Sequence, residues 1–240
     1  MENRLPKRKS VFLGILAALF AVAEAVLAVL VQLVEYVDFP YVAYSAIVLV
    51  FCFSFVPLFF GMRGGMLVRA GLFFTLMADW CLVVMQPAAE LAGVIIFIFV
   101  QLSYGAYLYL ADEKRSVKIL HIILRLALSS IAIAVPAIIL GAGYNALAAV
   151  SVFYYAQLIV NVVMAFVIPK TRIFAIGLLL FSFCDLSIGL KEIVGTYLSV
   201  NRTSWIYQLT HTDLNIAWIF YIPSQTVIAL SLLLKNKKSR

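Results

Sequence analysis

An apolar run of about 20 residues crosses a bilayer as a helix, because in lipid the backbone must satisfy its own hydrogen bonds. This sequence holds eight such runs, at 11–35, 41–60, 66–86, 91–110, 117–140, 146–168, 172–194 and 214–234. Short polar segments join them, with no linker or low-complexity stretch. The reading is an all-α integral membrane protein: eight transmembrane helices in one bundle, with residues 1–240 as a single domain. Only 12% of residues are charged, against about 25% in a soluble domain, so a soluble fold is excluded. The first run follows "RLPKRKS" but is too long for a signal peptide and carries Glu24, so it reads as a retained anchor.

The net charge of +7 is not the footprint of nucleic acid. Basic residues gather before the first run (Arg4, Lys7, Arg8, Lys9), between the second and third (Arg63, Arg69), in "DEKRSVK", in "PKTR" and in the tail "KNKKSR". With eight spans all five segments share one side. The other loops carry mainly Glu35, Asp38, Glu90 and Asp213, with Arg202 as the exception. The positive-inside rule then puts both termini in the cytoplasm. "NRT" at 201–203 reads as a chance sequon. Cys52, Cys81 and Cys184 lack any paired or zinc-type spacing and read as small buried hydrophobes.

At 1.5 Å per residue, six polar side chains from six runs fall in one layer near mid-membrane: Glu24, Asp79, Gln101, Gln157, Asp185 and Gln225. Amides such as Gln157 and Asn161 commonly serve as interhelical glue. Two aspartates at one depth are expensive for that purpose, and intramembrane acids default to a functional reading. Neighbouring carboxylates in a low dielectric do not both ionise readily, and such a pair can supply a general acid at neutral pH. Tyr104 and Tyr221 lie within a turn of Gln101 and Gln225 as candidate pocket neighbours. His121 and His211 fall outside the layer, and Arg125 reads as snorkelling or meeting lipid phosphate.

"GLFFTLMAD" (71–79) and "GLLLFSFCD" (177–185) place Gly-Leu at the same distance before an aspartate. "FIFVQLSYGAYL" and "FYIPSQTVIALS" set Gln101 against Gln225. This weak repeat suggests two parallel four-helix halves with the polar layer where they meet.

The third run ("AGLFFTLMADWCLVVMQP"), the fourth ("GVIIFIFVQLSYGAYLY"), the seventh ("RIFAIGLLLFSFCDLSIGL") and the eighth ("WIFYIPSQTVIALSL") resemble the YhhN-like family of eight-helix membrane proteins, which includes the lysoplasmalogenases. The deep aspartates and the Tyr-x3-Gln of the eighth run carry the resemblance, which spans about residues 66–235. It implies hydrolysis of the vinyl-ether bond of a lysophospholipid to a fatty aldehyde and a glycerophospho-alcohol, without metal or cofactor. It assigns Asp79 and Asp185 as catalytic, with Gln101, Tyr104, Tyr221 and Gln225 beside the substrate. Glu24 joins them only by its depth.

Three positions depart from the family pattern. Ala78 stands where Gly is usual, Gln101 where His is usual, and a Lys-Pro motif expected near the second run is missing. Gln cannot exchange protons at neutral pH as His can. Two other readings therefore stay open: a small-solute or proton-coupled carrier using the same Asp pair, and a non-catalytic lipid-binding protein of the same fold. The expected setting is a bacterial cytoplasmic membrane, with lysophospholipid or another lipid as partner.

Overall fold

A computed structural model of the chain describes residues 7–35, 37–141, 144–197, 203–210, 212 and 214–233. Arg4, Arg202, His211, Asp213, Asn201 of the sequon and the basic tail lie outside the described residues. Ten α-helices are described: α1 (Lys7–Leu33), α2 (Phe39–Phe53), α3 (Val56–Phe59), α4 (Met66–Asp79), α5 (Glu90–Ala111), α6 (Arg115–Leu140), α7 (Ala146–Val167), α8 (Arg172–Glu192), α9 (Trp205–Thr210) and α10 (Ile216–Ser231). Among the described residues, seven spans are long and apolar enough to cross a membrane, with α2 and α3 forming one of them. The eighth expected run is realised as α10, an apolar helix of 16 residues, about 24 Å long. It is sheathed by other helices, packing on α8, α1 and α2. Tyr221, Ile222, Gln225 and Ile228 are all buried along it.

Local chemistry explains where the helices break. Pro57 has no N–H to donate, and the second run parts at Ser54–Phe55 into α2 and α3. Arg69, expected to mark a loop, is instead 2% exposed on α4. Its Nε donates to the carbonyl of Ser54 at 2.7 Å and its Nη1 to that of Gly64 at 2.7 Å, pinning the turn before α4. Gly65 enters α4 at φ 84°, a left-handed conformation that glycine accepts without strain. Asn145 caps α7, its side chain accepting from the Ala148 N–H at 2.9 Å. Both α4 and α8 run on into π-helical turns, at Trp80–Val84 and Ile193–Tyr197.

The core lies among α2, α4, α5, α7, α8 and α10. α1 and α6 flank it, and their outer faces expose Val11, Phe12, Leu19, Ile123, Leu126 and Ile138, as suits a surface solvated by lipid. Cys184 is buried, but Cys81 is only half-buried and Cys52 is exposed, contrary to the reading of all three cysteines as buried. Its place on α2 turns it away from the core.

Several helix contacts form matching pairs, whereas α1 also lies on α10 with no comparable packing of α6 on α5. α4 lies on α5 and α8 on α10; α5 lies on α7 and α10 on α2; α1 lies on α2 and α6 on α7. A β-carbon on Gly71 would overlap the ring of Tyr104, and one on Gly177 would meet Ile228 Cγ1. When the two Gly-Leu…Asp segments and the two glutamines are aligned, these contacts occupy equivalent positions.

Candidate functional site

Asp79 is the last residue of α4, directly before the π-helical turn, and is 3% exposed. Its Oδ2 accepts a hydrogen bond from the Tyr221 hydroxyl of α10 at 2.5 Å. Asp185, on α8, is half-buried. Its Oδ2 accepts from the Tyr154 hydroxyl of α7. Each acid is thus held by a tyrosine from a different helix, and an oxygen–oxygen bond to a carboxylate is among the stronger hydrogen bonds available to a side chain.

The two assemblies adjoin. Aromatic rings fill the space between the tyrosines. Tyr154 meets Phe97 at 5.4 Å between centroids, Phe97 meets Phe181 at 5.7 Å, and Phe181 meets Tyr221 at 5.4 Å. Trp218 closes edge-on against Tyr221 at 5.2 Å. An apolar wall with two hydrogen-bonded acids set into it can pack an alkyl chain and exchange a proton with a reactive group at the end of that chain.

A protein-family model for the YhhN family matches residues 48–232. The chain belongs to the YhhN family. No curated protein and no solved structure matches it. The YhhN match takes in both aspartates and both tyrosines but leaves out all of α1, and with it Glu24.

The other candidates of this YhhN protein are buried among the helices without bonding to either acid. Tyr104 is fully buried, its ring edge-on to Phe174 at 5.2 Å. Gln225 Nε2 makes a long contact of 3.4 Å with Ser224 Oγ, and its Oε1 has no partner. Glu24 is 1% exposed and neither of its carboxyl oxygens has a partner. Gln101 is tied to α7, where Asn161 Nδ2 donates to its backbone carbonyl at 2.8 Å and to its Oε1 at 2.9 Å. Among the described residues, no group of three or more His, Cys, Asp or Glu could hold a metal ion.

Two features escaped the sequence reading. Tyr154 lies three residues before Gln157, so it shares that residue's helical face one turn nearer the start of α7. That spacing was the available signal. Arg125 does not snorkel toward a membrane surface; it turns inward, with Nη1 on Gln157 Oε1 at 2.5 Å and Nη2 on Asn161 Oδ1 at 2.7 Å. The reason is local: Gly105 of α5 leaves the room in which the guanidinium lies.

Proposed function

We propose that this YhhN protein is a membrane hydrolase that cleaves the vinyl-ether bond of a lysoplasmalogen. The observation that supports this best is the adjoining Asp79 and Asp185, each fixed by a tyrosine hydroxyl within the membrane-spanning helices. A vinyl ether needs a positioned proton donor, an anion near the developing cation, and one water. The acid adds its proton to the vinyl carbon distal to the ether oxygen, leaving an oxocarbenium ion. Water attacks that cation and gives up a proton to the second carboxylate. The resulting hemiacetal collapses to the fatty aldehyde and the glycerophospho-alcohol, its hydroxyl proton passing to the departing oxygen, and the proton gained by the second carboxylate returns to the first, which closes the count. Asp79, sealed from the surroundings, is assigned the acid. Asp185, the more open of the two, is assigned the anion that steadies the cation and orients water. The rings of Phe97, Phe181 and Trp218 would pack the alkenyl chain. This reading counts α10 as an eighth span and uses the basic-residue bias to place both termini in the cytoplasm.

The test is aldehyde release from a lysoplasmalogen by purified protein in detergent, beside Asp79→Asn and Asp185→Asn. General acid–base groups contribute about 10²- to 10⁴-fold, so each variant is expected to lose at least about 10² in rate. No aldehyde from folded wild type would reject the hydrolase.

One observation favours a second reading, a proton-coupled carrier. Pro223 interrupts the α10 hydrogen-bond ladder between Tyr221 and Gln225, beside the Asp79 contact. Proton uptake into proteoliposomes driven by a solute gradient, with no aldehyde formed, would select it.

A further inference from the structure

The polar side chains of α6 form a stripe that the reaction above does not use. Lys118, His121, Arg125 and Ser129 follow one another at three- and four-residue steps along one face of an otherwise apolar helix. The stripe begins at the basic start of α6 and carries Arg125 about 15 Å along the helix, to the depth of Gln157 and Asn161. Tyr109 of α5 lines it, under the Lys118 ammonium at 5.1 Å and beside the His121 ring at 6.1 Å between centroids.

Among the described residues, Arg125 is a cation without a counter-charge. Its contacts are the neutral oxygens of Gln157 and Asn161 and, at 3.1 Å, His121 Nε2, which must accept because a guanidinium only donates. No carboxylate among the described residues lies against it. Burying a charge is costly unless an opposite charge meets it.

The hydrogen bonds around Arg125 also have a direction. Arg125 donates to Asn161 Oδ1, which turns the Asn161 amide nitrogen toward Gln101 Oε1. That in turn frees Gln101 Nε2, which is fully buried and has no partner. Acceptors in the cluster are consumed, and the group left over is a donor. A guanidinium met only by neutral acceptors, joined through Asn161 to an unpaired N–H, suits an anion with several oxygens.

We propose that Arg125 and Gln101 bind a phosphate, that of a lysophospholipid headgroup, which reaches them along the Lys118–His121 stripe. The lipid source rests on the hydrolase reading, since three glycerol carbons are all that separate a lysoplasmalogen's ether oxygen from its phosphate-bearing oxygen. Planar guanidinium geometry suits phosphate oxygens in pairs.

The probe is a saturated 1-O-alkyl lysophosphatidylethanolamine, which has no vinyl ether to cleave, compared with 1-O-alkylglycerol, which lacks the phosphate, and with inorganic phosphate. Each is titrated against purified full-length protein in uncharged detergent, reading the unfolding temperature. The saturated lysophospholipid should raise it and the alkylglycerol should not. Arg125→Gln should weaken the apparent affinity at least tenfold, and Arg125→Lys should weaken it less. Gln157→Glu supplies a carboxylate to Arg125 from within the chain, so it should raise the ligand-free unfolding temperature and abolish the ligand's effect. Gln157→Glu also keeps the test decisive if Arg125→Gln fails to fold. Stabilisation by inorganic phosphate equal to that by the lipid would assign the anion site but overturn the lipid source. Equal stabilisation by alkylglycerol, or unchanged affinity in every folded variant of Arg125→Gln and Gln157→Glu, would overturn the site itself. Because the probe cannot be hydrolysed, binding without aldehyde release from lysoplasmalogen would sink the hydrolase and leave the anion site standing.

Discussion

Tyr221 and Asp79 are 142 residues apart in the chain and 2.5 Å apart in the fold, the phenol of α10 donating to the carboxyl of α4. That bond joins the eighth apolar run to the third. It leaves one acid with a single defined orientation inside an apolar wall.

Tyr221→Phe keeps the ring against Phe181 and Trp218 but removes the donor. A buried polar group stripped of its partner costs about 1–3 kcal/mol. The variant is expected to lose about that much stability in a denaturant titration in detergent, and to lose aldehyde release less severely than Asp79→Asn. An unchanged midpoint would mean that Asp79 finds another donor.

Tyr154→Phe should act on Asp185 in the same way. Because Phe97 and Phe181 bridge the two tyrosines, the double variant with Tyr221→Phe should be non-additive. Residues that share partners typically couple by about 0.5–3 kcal/mol. Strict additivity in a double-mutant cycle would divide the two acids into independent sites.

Asn161→Ala cuts the link between Arg125 and Gln101, leaving the Gln101 Oε1 without its donor and Arg125 with one acceptor fewer. At about 1–3 kcal/mol for each orphaned group, a loss of a few kcal/mol is expected. Thermal unfolding checks this, and Asn161→Asp should fall between wild type and Asn161→Ala.

Two glycines should behave opposite to two others. Gly71→Ala meets the Tyr104 ring, and Gly177→Ala meets Ile228 together with backbone atoms of α10, so both should destabilise by about 1–3 kcal/mol. Gly14 and Gly189 lie within helices with nothing close to a new β-carbon, so alanine there should be neutral or stabilising by up to about 1 kcal/mol. Parallel melts of the four variants decide it.

What the sequence determined by itself was the medium and the run of apolar helices, with the acids marked out inside them. Hydrophobic length alone calls for spanning helices, and a carboxylate such as Asp79 in an apolar run marks its own depth, because lipid tolerates few of them. The break before Pro57 and the 16-residue length of α10 were not legible. Partners were decided by the tertiary structure. In water an apolar stripe tells which face of a helix turns inward; in lipid both faces are apolar, and the contrast fades. Nothing in the spacing of Tyr154 or Tyr221 says which acid each will meet, since that depends on α7 lying against α8 and on α10 crossing back near α4. The direction of Arg125 was settled likewise, by space beside Gly105 and by two amide oxygens waiting on α7. A sequence can state that a charge lies deep in a membrane, but its compensation comes from other helices, and only packing brings them together.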